Sequence, residues 1–131
     1  VGALSAVSLD NVFNPYADRC PLHDRSDAPH RRQRNLVMSL NTAIDLQVRT
    51  VWIARDLGYR GGRRTGLALT DEVHLDSYSS LFQGLPVEKA TNGPAVGERT
   101  ATVIWQMLQR LAEPVFLWNA SRYTRTNPTN Q

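Results

Sequence analysis

The chain has 131 residues, with 15 basic and 12 acidic side chains for a formal net charge of +3. That size suits one domain with a single core and is too short for two. A lone cysteine, Cys20, excludes an internal disulfide and any all-cysteine metal or iron–sulfur site, and no apolar run approaches the roughly 20 residues that span a bilayer.

The charge is made almost wholly of arginine, since Lys89 is the one lysine. Arginine matches phosphate geometry bidentately, so the composition admits either solvated surface positions or an Arg-rich face for phosphates. The lone cysteine makes a reducing, intracellular setting the default expectation. Val1 to Val7 is apolar but has no basic leader, and it does not read as a signal peptide.

Residues 1 to 34 read as irregular, punctuated by Asn14-Pro15, Cys20-Pro21 and Ala28-Pro29. The mixed-charge cluster from Arg19 to Arg34 is either solvated surface or an arm for phosphates. From Pro29 the apolar spacing becomes helical through Leu36, Val37, Leu40, Ala43 and Ile44, which predicts a helix over about 29–47. Val51, Trp52, Ile53 and Ala54 follow as a near-continuous apolar run, expected to be a strand buried on both faces of a parallel sheet.

That run stops at Arg55 and Asp56 and enters a loop in which Gly58, Gly61, Gly62 and Gly66 alternate with Arg60, Arg63 and Arg64. Glycine lets a backbone approach a ligand closely, so the loop is a candidate phosphate cradle. Thr70, Asp71 and Glu72 predict the cap of a short helix running to about Phe82. Asn92-Gly93-Pro94 resembles a helix start, and Val96, Thr100, Val103, Ile104, Met107, Leu108 and Leu111 predict a helix over about 94–112. After Pro114, Val115 to Trp118 read as a second buried strand ending on Asn119, and the tail from Ala120 to Gln131 offers nothing that continues a core.

Strand, crossover helix and strand predict a parallel pair, which sets Asp56 and Asn119 on one sheet edge, the edge where open α/β sheets bind ligands. A carboxylate there can orient water or stabilise a developing cation. An amide offers both a donor and an acceptor to the polar edge of a nucleobase.

On these residues the chain resembles the uracil-DNA glycosylase superfamily, and within it a bacterial uracil-DNA glycosylase-like branch. The shared phrases are Asn14-Pro15-Tyr16 through Asp24, Arg34-Asn35-Leu36, Gly58 to Glu72 (reading GYRGGRRTGLALTDE from Gly58), Thr91 to Trp105, and Glu113 to Asn119. The resemblance spans about residues 11 to 119. It implies a single α/β domain of three layers, α/β/α, with a short parallel sheet flanked by helices. It also implies a DNA glycosylase that hydrolyses the N-glycosidic bond of uracil or another deaminated base without a metal or cofactor.

Asp56 matches the catalytic polar residue, the backbone around Leu57 and Gly58 would face a carbonyl of the flipped base, and Asn119 matches the base-reading asparagine. Leu69 matches an aromatic that stacks on the base, and Gly58 stands where some relatives place a tyrosine that excludes the thymine methyl. Arg60, Arg63 and Arg64 would hold DNA phosphates. The expected partner is DNA bearing a flipped base, bound by a monomer in the cytoplasm at the nucleoid, with no membrane association.

The family's later histidine motif and duplex wedge are expected beyond Gln131, making the 131 residues an incomplete domain, and His23, His30 and His74 match no such position. Two other readings stay open. One is a nucleic-acid-binding domain without catalysis, and the other is a small α/β enzyme acting on a nucleotide or sugar phosphate.

Overall fold

A computed structural model describes residues 1–125. In chain order these form a short helix α1 (Gly2–Ser5), strand β1 (Val12–Phe13), helix α2 (Ala28–Asp45), strand β2 (Val51–Ala54), a one-turn helix α3 (Gly62–Thr65), a 3₁₀ turn (Glu72–His74) running into α4 (Leu75–Leu81), helix α5 (Arg99–Leu111), strand β3 (Phe116–Asn119) and strand β4 (Thr124–Arg125). The chain thus mixes helices with a small parallel sheet, a small α/β arrangement.

β2 and β3 pair in parallel, with Val51 beside Phe116 and Ala54 beside Asn119. β1 and β4 pair antiparallel as a second small ribbon. The core lies on the side of the β2–β3 pair that carries Trp52 and Leu117. There Leu67, Tyr78, Phe82, Trp105 and Leu108 pack together, with Met38 and Leu46 from the α2 region against them. Tyr78 stacks on Phe82 at 4.9 Å between ring centroids and tilts against Trp105 at 5.7 Å.

α2 begins where Pro29 sits in its first turn, as the sequence suggests. Asp71 caps the 3₁₀ turn by accepting a hydrogen bond from the His74 amide at 2.9 Å, and it thereby starts the 72–81 helical segment.

Three expectations need correction. β2 is not buried on both faces, because Val51 and Ile53 are exposed, Ile53 at 68%; among the described residues nothing covers that side of the strand. The helix expected from about 94 begins instead at Arg99, with Glu98 in extended backbone at its cap. Residues 94–98 are drawn off the helical path by buried acids: the Val96 amide donates to Glu72 and the Glu98 amide to Asp71. The tail does not leave the core at Ala120. The Ala120 and Ser121 amides extend the sheet ladder to the Ala54 and Arg55 carbonyls at 2.8 Å each, Arg122 is buried, and β4 closes on β1. Residues 126–131, also part of that tail, lie outside the described residues.

The charged cluster of residues 19–34 is split. Asp24 and Arg32 are buried and paired at 2.5 Å, whereas His23, Arg25, His30 and Arg34 are exposed. Arg32 also donates to the Arg64 carbonyl at 3.0 Å, so this pair ties α2 to the glycine-rich segment.

Candidate functional site

The parallel register brings Asp56 and Asn119 together. Asn119 is the last residue of β3 and is fully buried, and its Nδ2 donates to the backbone carbonyl of Asp56 at 2.7 Å. Its Oδ1 is buried and has no hydrogen-bond partner among the described residues. A buried amide acceptor left unpaired costs on the order of 1–3 kcal/mol, so the strand end carries an acceptor oxygen that the fold leaves unused.

Asp56 turns its carboxylate outward, more than half exposed, where Oδ2 accepts a hydrogen bond from Arg55 Nε at 2.8 Å. It lines a cavity of about 740 Å³ together with Arg55, Leu57, Tyr59, Ser121 and Tyr123. The far wall comes from β4 and the N-terminal segment through Thr124, Arg125, Val12 and Leu9. The cavity therefore opens at the carboxyl ends of both parallel strands, as the topology requires.

The remaining candidates separate. Leu57 is buried at the cavity wall, and Gly58 follows it as the loop turns. Leu69 does not line the cavity; it has a left-handed backbone, φ 54°, and packs against the core. Arg60 is exposed, with Nε donating to the Gly97 carbonyl at 3.2 Å. Arg63 and Arg64 face inward.

Arg63 lies over the Phe13 ring at 4.2 Å and the Tyr59 ring at 4.8 Å, sandwiched between aromatic faces. Arg64 pairs with buried Glu72 at 3.0 Å and donates to Thr91 Oγ1 at 3.2 Å, and the Thr91 hydroxyl in turn donates to Glu72. Glu72 is buried and needs a cation beside it, which explains why the glycine-flanked arginine turns away from solvent.

Of the histidines, His74 is held by Asp71 at 2.6 Å and stacked on Trp105, while His23 and His30 are exposed; none lines the cavity. Among the described residues no group of three or more His, Cys, Asp or Glu side chains is gathered as a metal site would require, and no helix is long and apolar enough to cross a membrane.

Sequence reasoning missed the two tyrosines of the cavity. Tyr59 sits inside the glycine-rich phrase, where the arginines beside it carry the more obvious chemistry. Tyr123 arrives only through the β1–β4 pairing, which two-residue strands do not announce in sequence. It also missed Arg122, buried with its guanidinium 4.4 Å from the Trp118 ring and Nη2 donating to the Gly66 carbonyl at 3.0 Å and to the Tyr16 hydroxyl. Burial raises the Tyr16 phenol above its ordinary range, against the lowering effect of Arg122 and Arg32. Tyr16 thus stays a neutral hydroxyl, donating to the Gly66 carbonyl at 2.7 Å.

No family model, curated protein or solved structure matches this chain.

Proposed function

We propose that this chain carries the base pocket of a DNA glycosylase of the uracil-DNA glycosylase type, which hydrolyses the N-glycosidic bond of uracil or another deaminated base. The observation that carries this reading is the pairing of Asn119 and Asp56 at one sheet edge. A buried amide has its Nδ2 committed to the loop and its Oδ1 free, beside a carboxylate that opens into a cavity.

In this reading a flipped base enters with its polar edge toward Asn119, whose Oδ1 accepts the N3–H of uracil. Tyr59 and Tyr123 are the aromatic surfaces at hand, in place of Leu69. As the bond between the sugar C1′ and the base nitrogen breaks, its electron pair leaves with the base, and the sugar becomes cationic. Asp56 stabilises that cation or takes the proton of the water that attacks C1′, and the free base and an abasic sugar result.

A third layer would lie on the open face of the sheet, over Val51 and Ile53, completing an α/β/α arrangement. The protein acts on nucleic acid as a monomer at the nucleoid. Arg55, Arg60 and Arg125 are the exposed cations near the cavity and its loop, and they suit the phosphate backbone.

Incubation with a uracil-containing oligonucleotide, followed by alkaline cleavage of abasic sites, tests the proposal. Base release that is lost in Asp56→Asn supports it. Release unaffected by both Asp56→Asn and Asn119→Ala overturns it.

The same exposed arginines favour a second reading, a nucleic-acid-binding domain without turnover. Salt-dependent oligonucleotide binding with no base release is its signature. The third reading, a phosphate held by Arg60, Arg63 and Arg64, is weakened because two of the three guanidinium groups are engaged inside the protein.

A further inference from the structure

The glycines after Asp56 have an occupant. A β-carbon on Gly58 would clash with the carboxyl group of Glu98, and one on Gly61 would stand 2.8 Å from Glu98 Oε1. Glu98 Oε2 accepts the Arg60 amide at 3.2 Å, and the Gly61 amide, which donates to the Gly58 carbonyl at 3.2 Å, also faces the carboxyl group. Glycine at these places therefore lets the loop backbone close on a side chain of the same protein.

Glu98 is anchored from behind. Its own amide donates to Asp71 Oδ2 at 2.6 Å, and Asp71 Oδ1 holds His74, which stacks on Trp105 in the core. Glu98 also caps α5, and the Gly97 carbonyl before it accepts Arg60 Nε. The loop is thus fastened at one point to the start of α5 and through Asp71 to the core. Asp71 and Arg60 are the charged groups that face Glu98 from the neighbouring segments.

We infer that Glu98 is the positioning residue of the loop that follows Asp56, holding the Gly58–Gly61 backbone in the shape that presents Asp56 and Leu57 to the cavity. The functional consequence rests on the glycosylase reading; the geometric one does not. Glu98 does not itself line the cavity, so its effect on any reaction runs through the loop.

The test uses amide hydrogen exchange read residue by residue in the full chain, with base release from uracil-containing oligonucleotide measured in parallel. Glu98→Ala is expected to lower protection at the Arg60 amide by roughly tenfold or more, the effect of losing a hydrogen bond to a charged group. The buried α5 amides of Trp105 and Leu108 should keep theirs. Glu98→Gln retains an acceptor oxygen and is expected to restore most of the protection. Gly58→Ala, which evicts the carboxyl group without removing it, is expected to reproduce the Glu98→Ala pattern.

Unchanged protection in Glu98→Ala, or a loss spread equally over loop and α5, overturns the inference. If the loop-confined pattern holds while wild-type protein releases no base, the positioning role stands and the glycosylase reading falls.

Discussion

Asn119 Nδ2 donates to the main-chain carbonyl of Asp56 at 2.7 Å, so the end of one strand fixes the exit of its neighbour. The amide does two things at once: one face orders the loop that carries the carboxylate, and the other leaves Oδ1 for a ligand. Asn119→Ala removes both. Loss of the buried hydrogen bond is expected to destabilise the fold by about 1–3 kcal/mol, read as a lower midpoint in chemical denaturation. Base release, measured below the unfolding transition, is expected to vanish, and a variant that unfolds as expected yet keeps wild-type release would remove Asn119 from the pocket.

Asp56→Asn separates chemistry from stability. The side chain is 55% exposed and its ionic partner among the described residues, Arg55, is itself 91% exposed, so the fold depends little on it. Stability should stay within about 0.5 kcal/mol of wild type. Base release is expected to fall by about 10² or more, the scale of a positioned group acting in a transition state. Single-turnover kinetics at saturating protein check this, and equal rates for the two proteins would refute it.

The three arginines of the glycine loop should behave differently. Arg64 is buried against Glu72, and Arg64→Ala leaves that carboxylate in the interior without its cation. A cost of about 3–5 kcal/mol follows, enough to unfold a marginal domain or to lower its melting temperature sharply. Arg60 is exposed, and Arg60→Ala is expected to leave the melting temperature nearly unchanged while reducing the salt dependence of oligonucleotide binding by roughly one phosphate contact. Fluorescence anisotropy across a salt series, paired with thermal melts, measures both. Loss of stability in the Arg60 variant with none in the Arg64 variant would contradict the structure.

The contrast between these arginines marks where sequence was legible. Apolar runs ending on Asp56 and Asn119 reveal two strands, and a connecting helix implies their parallel pairing, so the meeting of those residues follows from periodicity and topology. What stayed hidden depends on long-range partners. Glu72 turns Arg64 inward, Phe13 and Tyr59 take Arg63, and Glu98 fills the space that Gly58 and Gly61 leave; each partner lies outside the local pattern. The same reason explains Tyr123. Its place at the cavity depends on a two-residue pairing between the two ends of the described chain, Val12 beside Arg125 and Phe13 beside Thr124, which no local window contains.

Tyr78 supplies a pH prediction. Burial holds its phenol up at about 12, against the lowering effect of a hydrogen bond with Ser39. In the unfolded chain the same phenol loses its proton near 10. Between these values the unfolded state binds fewer protons than the folded one, so stability falls as pH rises from about 10 toward 12 and is unaffected by this group below that window. Tyr16, raised by burial as well, acts in the same direction. Urea denaturation at successive alkaline pH values should show this decline, and Tyr78→Phe, which cannot ionise, should make it shallower by up to one proton's worth, about 1.4 kcal/mol per pH unit. An identical slope in the two proteins would mean that Tyr78 ionises as readily inside the fold as outside it, and would contradict its place between Phe82 and Trp105.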